Sequence, residues 1–126
     1  MEETLYDRIN VLLHYECPQN RDELGKMLSL LKGKTSLLEV GSNFGGTFKR
    51  MAGELAPRSR MVSVDYPFDE TPKDLNPVGT LKFNCQRIAD HYGHHVELLI
   101  ADSHDPETVE KVRKLGTFDF VFIDGD

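Results

Sequence analysis

The chain has 126 residues, one domain's worth, and a formal net charge of −6. Its 39% hydrophobic and 29% charged residues are ordinary for a globular protein and exclude a disordered, collagen-like or repeat chain. No Lys/Arg cluster is dense enough to form the basic face that phosphate neutralisation needs, so a small-molecule partner is expected and a nucleic acid is not.

Leu5, Ile9, Leu12 and Leu13 recur at helical spacing and predict a first helix over Thr4 to Tyr15. Cys17-Pro18-Gln19-Asn20 interrupts it. Leu24, Met27, Leu28 and Leu31 then predict a second helix over Arg21–Leu31, with Asn20 placed to cap it and Gly33 to end it. Residues 1–34 read as an N-terminal helical cap on a main domain at 35–126. From Ser36 the period changes. Leu37-Leu38-Glu39-Val40 is a short apolar run stopped by glycine, as in a buried parallel strand. Phe48, Met51, Ala52 and Leu55 mark a helix that Ala56-Pro57 would end, and Met61 to Val64 a second strand finishing at Asp65.

The three prolines and several acids of Pro67 to Pro77 predict an exposed loop. A helix follows from about Val78 to Tyr92, with Leu81, Cys85, Ile88 and Ala89 facing inward and Gly93 at its end. Val96 to Ala101 is a third strand, finishing at Asp102. Pro106 to Leu115 is a helix with Asp105 as its cap, and Phe118 to Ile123 a fourth strand finishing at Asp124. Strands alternating with helices imply an α/β fold with a parallel sheet and right-handed crossovers. Ligands in such sheets bind beyond the carboxyl ends of the strands. Three of the four strands here finish at an aspartate and the first at a glycine turn.

That turn reads Glu39-Val40-Gly41-Ser42-Asn43-Phe44-Gly45-Gly46. Glycine lets the backbone turn sharply and lets a ligand approach without a Cβ in the way. The dinucleotide fingerprint needs its second glycine where this sequence has Asn43, so the spacing argues against a pyrophosphate and for a nucleotide without one. The plainer alternative is a tight strand-to-helix turn with no ligand. Asp65 can accept hydrogen bonds from both ribose hydroxyls, and Tyr66 can line the adenosine; as alternatives, Asp65 is a solvated turn residue and Tyr66 packs under the following loop. Asp102 can read an exocyclic amine, with the Ser103 backbone on a ring nitrogen, or can cap its own turn. Asp124 and Asp126 can hold a hard cation such as Mg²⁺, and Asp124 can instead meet an α-amine. The five histidines show no HxxxH pairing, and most are expected on the surface or in loops.

Cys17 and Cys85 are far apart and form no CxxC or Cys/His ligand pattern, as in reduced cytoplasmic thiols. The acidic Met1-Glu2-Glu3 start is not that of a signal peptide. The longest apolar run, Phe120 to Ile123, is far short of the roughly 20 residues of a membrane span. A cytoplasmic protein without a membrane partner is the expectation.

Taken in order, these segments resemble a known family. Leu37 to Thr47 resembles motif I of the class I S-adenosylmethionine-dependent methyltransferases. Val62-Ser63-Val64-Asp65 resembles motif II with its ribose acid, and Ile100-Ala101-Asp102-Ser103 the adenine-binding motif. Phe118 to Asp126 is similar to the strand-four segment of the small-molecule O-methyltransferases and the related cephalosporin-hydroxylase-like group. The likeness runs from about Ser36 to Asp126, the N-terminal part of such a protein.

It implies a Rossmann-like sheet whose order begins 3-2-1-4, with strands five to seven not included in this sequence. It implies S-adenosylmethionine as cofactor, with Glu39, Gly41, Ser42, Asn43 and Gly45 beside its methionine part, Asp65 and Tyr66 at the ribose, and Asp102 and Ser103 at the adenine. Asp124 would be a cofactor contact and, in metal-dependent members, a ligand of Mg²⁺. The reaction implied is in-line methyl transfer to oxygen of a small-molecule acceptor, in which the protein mainly aligns nucleophile and methyl. With strand four left as an edge, a partner or a second copy could complete the sheet there. A non-catalytic or partner-completed S-adenosylmethionine-binding module is the alternative. A metal-dependent glycosyltransferase using Asp124-Gly125-Asp126 is a minor one, and it leaves the glycine turn and Asp65 unexplained.

Overall fold

The computed structural model describes residues 21–41, 45–66 and 77–123. The helix predicted over Thr4 to Tyr15, the cap at Asn20, most of the proline-rich loop, and Ser42, Asn43 and Asp124 lie outside the described residues. Four helices and four strands alternate along the rest: α1 (Arg21–Leu31), β1 (Ser36–Val40), α2 (Gly46–Ala52), β2 (Arg60–Asp65), α3 (Pro77–Tyr92), β3 (His95–Ile100), α4 (Pro106–Lys114) and β4 (Phe120–Ile123).

The strands form one sheet in the order β3-β2-β1-β4, and every pairing is parallel. This is the order the sequence resemblance implied. Central strands of such a sheet are covered on both faces, which is why Leu37, Leu38, Met61, Val62 and Val64 are all buried with no polar alternation. Leu37 and Met61 pack in one cluster with Leu24, Met27 and Leu31 of α1, Phe48 and Met51 of α2, and Leu81, Cys85 and Ile88 of α3. Leu38, Val62 and Val64 form a second, smaller cluster with Val112 of α4, Leu115 and Phe118. The register aligns the carboxyl ends: Val40 lies opposite Val64 and Ile123, and Asp65 opposite Ile100.

Two boundaries differ from the sequence expectation by more than one residue, each for a local reason. The apolar stripe of α2 predicted a helix reaching Leu55, but the helix ends at Ala52. There the Gly53 and Glu54 N–H groups turn back to the carbonyls of Arg50 and Met51 at 3.3 and 3.1 Å, and Leu55 enters the core from the turn. β4 begins at Phe120, because Phe118 and Asp119 are engaged elsewhere. The Arg60 guanidinium lies 4.2 Å from the Phe118 ring centroid. The Asp119 carboxylate accepts the Thr35 N–H at 2.9 Å and the Thr35 hydroxyl at 2.6 Å. Asp105 caps α4 as expected, accepting the Glu107 N–H at 3.0 Å. No helix among the described residues is long and apolar enough to cross a membrane.

Candidate functional site

The level carboxyl ends bring the sequence-predicted residues into neighbouring turns. Gly41 leaves β1 in the left-handed region, φ 90°, while its N–H still donates to the Val64 carbonyl at 2.8 Å. One strand over, the Asp65 carbonyl accepts the Ala101 N–H at 2.9 Å, which ties the start of the Asp102 turn to the end of β2. Gly41, Asp65 and Ala101-Asp102 therefore lie side by side along one edge of the sheet. Asp65 is buried, whereas Tyr66 is 62% exposed, and the loop that follows it lies outside the described residues.

Glu39 sits inside β1, two residues before Gly41 and opposite Ser63 and Phe122. It is fully buried, and its Oε1 makes no hydrogen bond to the described residues while the side chain is engaged through other contacts. Its charge acts on Cys85 of α3. Burial first, and the Glu39 charge second, push that thiol up to about 11. A thiol so placed is protonated at neutral pH and inert.

The Asp102 side chain caps its own turn. Oδ1 accepts the His104 N–H at 2.9 Å and lies 3.2 Å from His104 Nδ1. These bonds, the backbone one foremost, hold the carboxyl below its ordinary range. Both contacts use Oδ1. Ser103 lines an apolar cleft of about 150 Å³ with Val40, Val64, Thr108, Val109 and Val112, between the ends of the central strands and the first turns of α4.

Gly45 has a packing role that the sequence did not reveal. It caps α2 with φ 88°, and a Cβ there would stand 2.8 Å from Leu81 Cδ1 and 3.4 Å from Asn84 Cβ. Close approach of α2 to α3 demands glycine at this position whatever ligand is bound. Sequence reading also missed buried polar side chains, among them Ser59, Asn84, His94 and Thr108. Asn84 had a signal, since it stands three residues after Leu81 and four before Ile88, on the inward phase of α3. His94 is buried in the short loop before β3, while His91, His95 and His104 are exposed, in line with the expectation that most histidines lie on the surface or in loops. Among the described residues no group of three or more His, Cys, Asp or Glu is placed to hold a metal ion.

No protein-family model matches the sequence, and no curated protein matches it. Solved structures do. The O-methyltransferase from Bacillus cereus in complex with SAH superposes with a TM-score of 0.62 at 20% identity, over 94% of this chain and 51% of that one. Cofactor-bound Rv0187 from MTB gives 0.61 at 27% identity, over 97% of this chain and 53% of that one. The chain shares the parallel Rossmann-like sheet of these structures. It spans about half the length of these two structures. The trans-2-enoyl-CoA reductase of Clostridium acetobutulicum, in complex with NADH, matches with a TM-score of 0.53 at 21% identity, over 84% of this chain and 30% of that one. A shared sheet therefore leaves the choice of ligand to the residues at the strand ends.

Proposed function

We propose that the chain is the S-adenosylmethionine-binding part of a methyltransferase that acts on oxygen of a small molecule. The observation that carries this reading is the placing of buried Asp65 one strand away from the left-handed Gly41, at the same level of the sheet. A carboxylate so fixed accepts both ribose hydroxyls without having to be ordered on binding. Glu39, Gly41 and Gly45, together with Ser42 and Asn43, which lie outside the described residues, are the residues assigned to the methionine part. Tyr66 flanks the ribose. The cleft beside Ser103 offers an apolar slot to the adenine ring, and Asp102, with Oδ1 committed to its turn, presents its other oxygen to the exocyclic amine.

S-adenosylmethionine, when bound, supplies an activated sulfonium methyl. The chain's own work is alignment: a rigid sheet edge holds the nucleoside so that the methyl points at one place. Asp124, which follows β4 in the sequence and lies outside the described residues, is assigned to meet the α-amine or to ligate Mg²⁺ with other partners. β3 and β4 are the two outermost described strands, and β4 carries the more exposed apolar residues, Val121 and Ile123, so a further strand or a second copy is assigned to the β4 edge.

Isothermal titration of the full chain with S-adenosylhomocysteine tests the reading. Binding is expected, and Asp65→Ala should weaken it roughly 10- to 100-fold, the loss of a charge-assisted hydrogen-bond pair. No binding to wild type, or equal affinity in Asp65→Ala, would overturn it. Tighter binding of NADH than of S-adenosylhomocysteine would move the site to the dinucleotide class.

A further inference from the structure

A second pocket lies away from the strand ends, between α2 and α3. We propose that it binds the phosphate of a small phosphorylated compound whose remaining body is apolar or aromatic. Its volume is about 170 Å³, and its lining is Lys49 of α2 with Arg87, Ile88, His91 and Tyr92 of α3. Three of these five carry or can take a positive charge, in a chain whose net charge is −6.

Those cations have no acidic partner to explain them. Among the described residues neither Lys49 nor Arg87 forms an ion pair; the pairs present are His104 with Asp102 and Arg113 with Glu110. Arg87 and His91 are four apart on α3 and so project on one face. Asp90, the acid next to His91, is held by Gln86, whose Nε2 donates to its Oδ1 at 2.9 Å along the neighbouring face. Arg87 instead reaches the Phe83 ring at 5.7 Å.

The apolar side of the pocket is built and braced. Ile88, 1% exposed, forms the floor. The Tyr92 ring stacks on His94 with centroids 5.5 Å apart and planes 14° from parallel, and the His91 ring meets Tyr92 edge-on at 4.5 Å. His94 is itself clamped: Nδ1 accepts the Ser59 N–H at 2.9 Å, and Nε2 donates to the Ala52 carbonyl at 2.9 Å. An aromatic wall fixed from behind, beside the exposed Lys49 and Arg87 and the His91 ring, suits a planar body with an anionic end. Arginine can grip phosphate through two N–H groups, and lysine adds a point charge. A polynucleotide would need a basic stripe longer than one pocket, which the acidic balance of the chain disfavours. His94 precedes β3, and Ala52 and Ser59 flank the turn into β2, so the pocket stands toward the opposite end of the sheet from Gly41 and Asp65.

The test is an NMR titration of the ¹⁵N-labelled full chain with phenyl phosphate and with inorganic phosphate at fixed ionic strength. Saturable shifts are expected at the amides of residues 49–53 and 87–94, with phenyl phosphate the tighter ligand and saturating S-adenosylhomocysteine displacing neither. The double variant Lys49→Met/Arg87→Met, both exposed positions, should keep the remaining spectrum and weaken binding at least about tenfold. Gly53→Ala puts a Cβ 3.2 Å from the Tyr92 hydroxyl, and should weaken phenyl phosphate more than inorganic phosphate. Absence of saturation, shifts that persist in the double variant, or displacement by S-adenosylhomocysteine would each overturn the proposal. So would tighter binding of oligouridylate with affinity rising with its length, which would make the surface a nucleic-acid site. Loss of cofactor binding in Asp65→Ala leaves these results unaffected, so the two proposals fail separately.

Discussion

Replacing Gly45 with alanine should destabilise the domain by two separable amounts. The first is conformational: Gly45 has φ 88°, and an L-residue there costs about 1–2 kcal/mol. The second is steric. The new Cβ would stand 2.8 Å from Leu81 Cδ1, and Leu81 is fully buried, so its side chain cannot swing into solvent. Overpacking of that kind costs about 1–3 kcal/mol, giving about 2–5 kcal/mol in all. Gly33 supplies the control, because it has φ 78° with nothing within 4 Å of a built Cβ. Gly33→Ala should therefore show the conformational part alone, and the stiffening of the unfolded chain by alanine cancels between the two variants. Urea unfolding measures both, with the m-value required to stay constant. In the double variant Gly45→Ala/Leu81→Val the loss should be smaller than the sum of the singles, because the clashing methyl is withdrawn. Equal midpoints for Gly45→Ala and Gly33→Ala would refute the reasoning, since they would show that α2 yields without cost.

Three other outcomes follow from the same geometry. His94→Leu leaves the Ser59 N–H and the Ala52 carbonyl without their buried partner and should lower stability by about 2–4 kcal/mol in thermal unfolding, with His94→Gln losing less because the amide keeps a donor and an acceptor. The Asp119 carboxyl is held below its ordinary 3.8 chiefly by the Thr35 hydroxyl, then by the Thr35 N–H. A depressed carboxylate contributes stability that is present above the unfolded pKa and is lost as pH falls through the folded one. Thermal midpoints should thus fall on acidification below about pH 4 in wild type, and fall less steeply in Asp119→Asn. The Cys85 thiol, raised to about 11 from 9.0, should react with a disulfide reagent at least roughly a hundredfold more slowly than an unfolded thiol. Kinetics in a Cys17→Ser background, native and in urea, would check that rate.

The strands and helices were legible because each apolar pattern had one consistent burial. Leu37 to Val40 and Met61 to Val64 are near-continuous runs, and only a strand covered on both faces needs that pattern. The stripe Leu81, Cys85, Ile88 likewise has a single solution. Boundaries were less legible where a side chain from another element competes for the backbone, as Thr35 does at Asp119 and Arg60 at Phe118. No local pattern near residue 118 encodes a partner 58 or more residues earlier in the chain. His94 was hidden for the same reason: its two hydrogen bonds reach back to Ala52 and Ser59. The place of Asp65 at the end of β2 was readable, because the apolar run Met61 to Val64 stops there. Asp102 admitted two readings from sequence, and its observed contacts with His104 supply one of them at a single oxygen.

Gly45 shows how one residue type satisfies two demands that sequence alone cannot separate. A glycine after a strand suggests close approach of a ligand, yet here the near neighbour is Leu81. The proposed site therefore rests on Gly41 rather than Gly45, since the left-handed Gly41 is bonded to β2 beside Asp65. The NADH-bound reductase shares the sheet, so the architecture does not choose between a dinucleotide and an adenosyl sulfonium. The choice rests on position 43, where the dinucleotide fingerprint demands a glycine and this chain has asparagine. An Asn43→Gly substitution would complete that fingerprint and leave Asp65 untouched. If the missing glycine is what excludes a pyrophosphate, the variant should gain NADH affinity in calorimetry while retaining S-adenosylhomocysteine. Unchanged discrimination would show that the exclusion is made elsewhere in the turn.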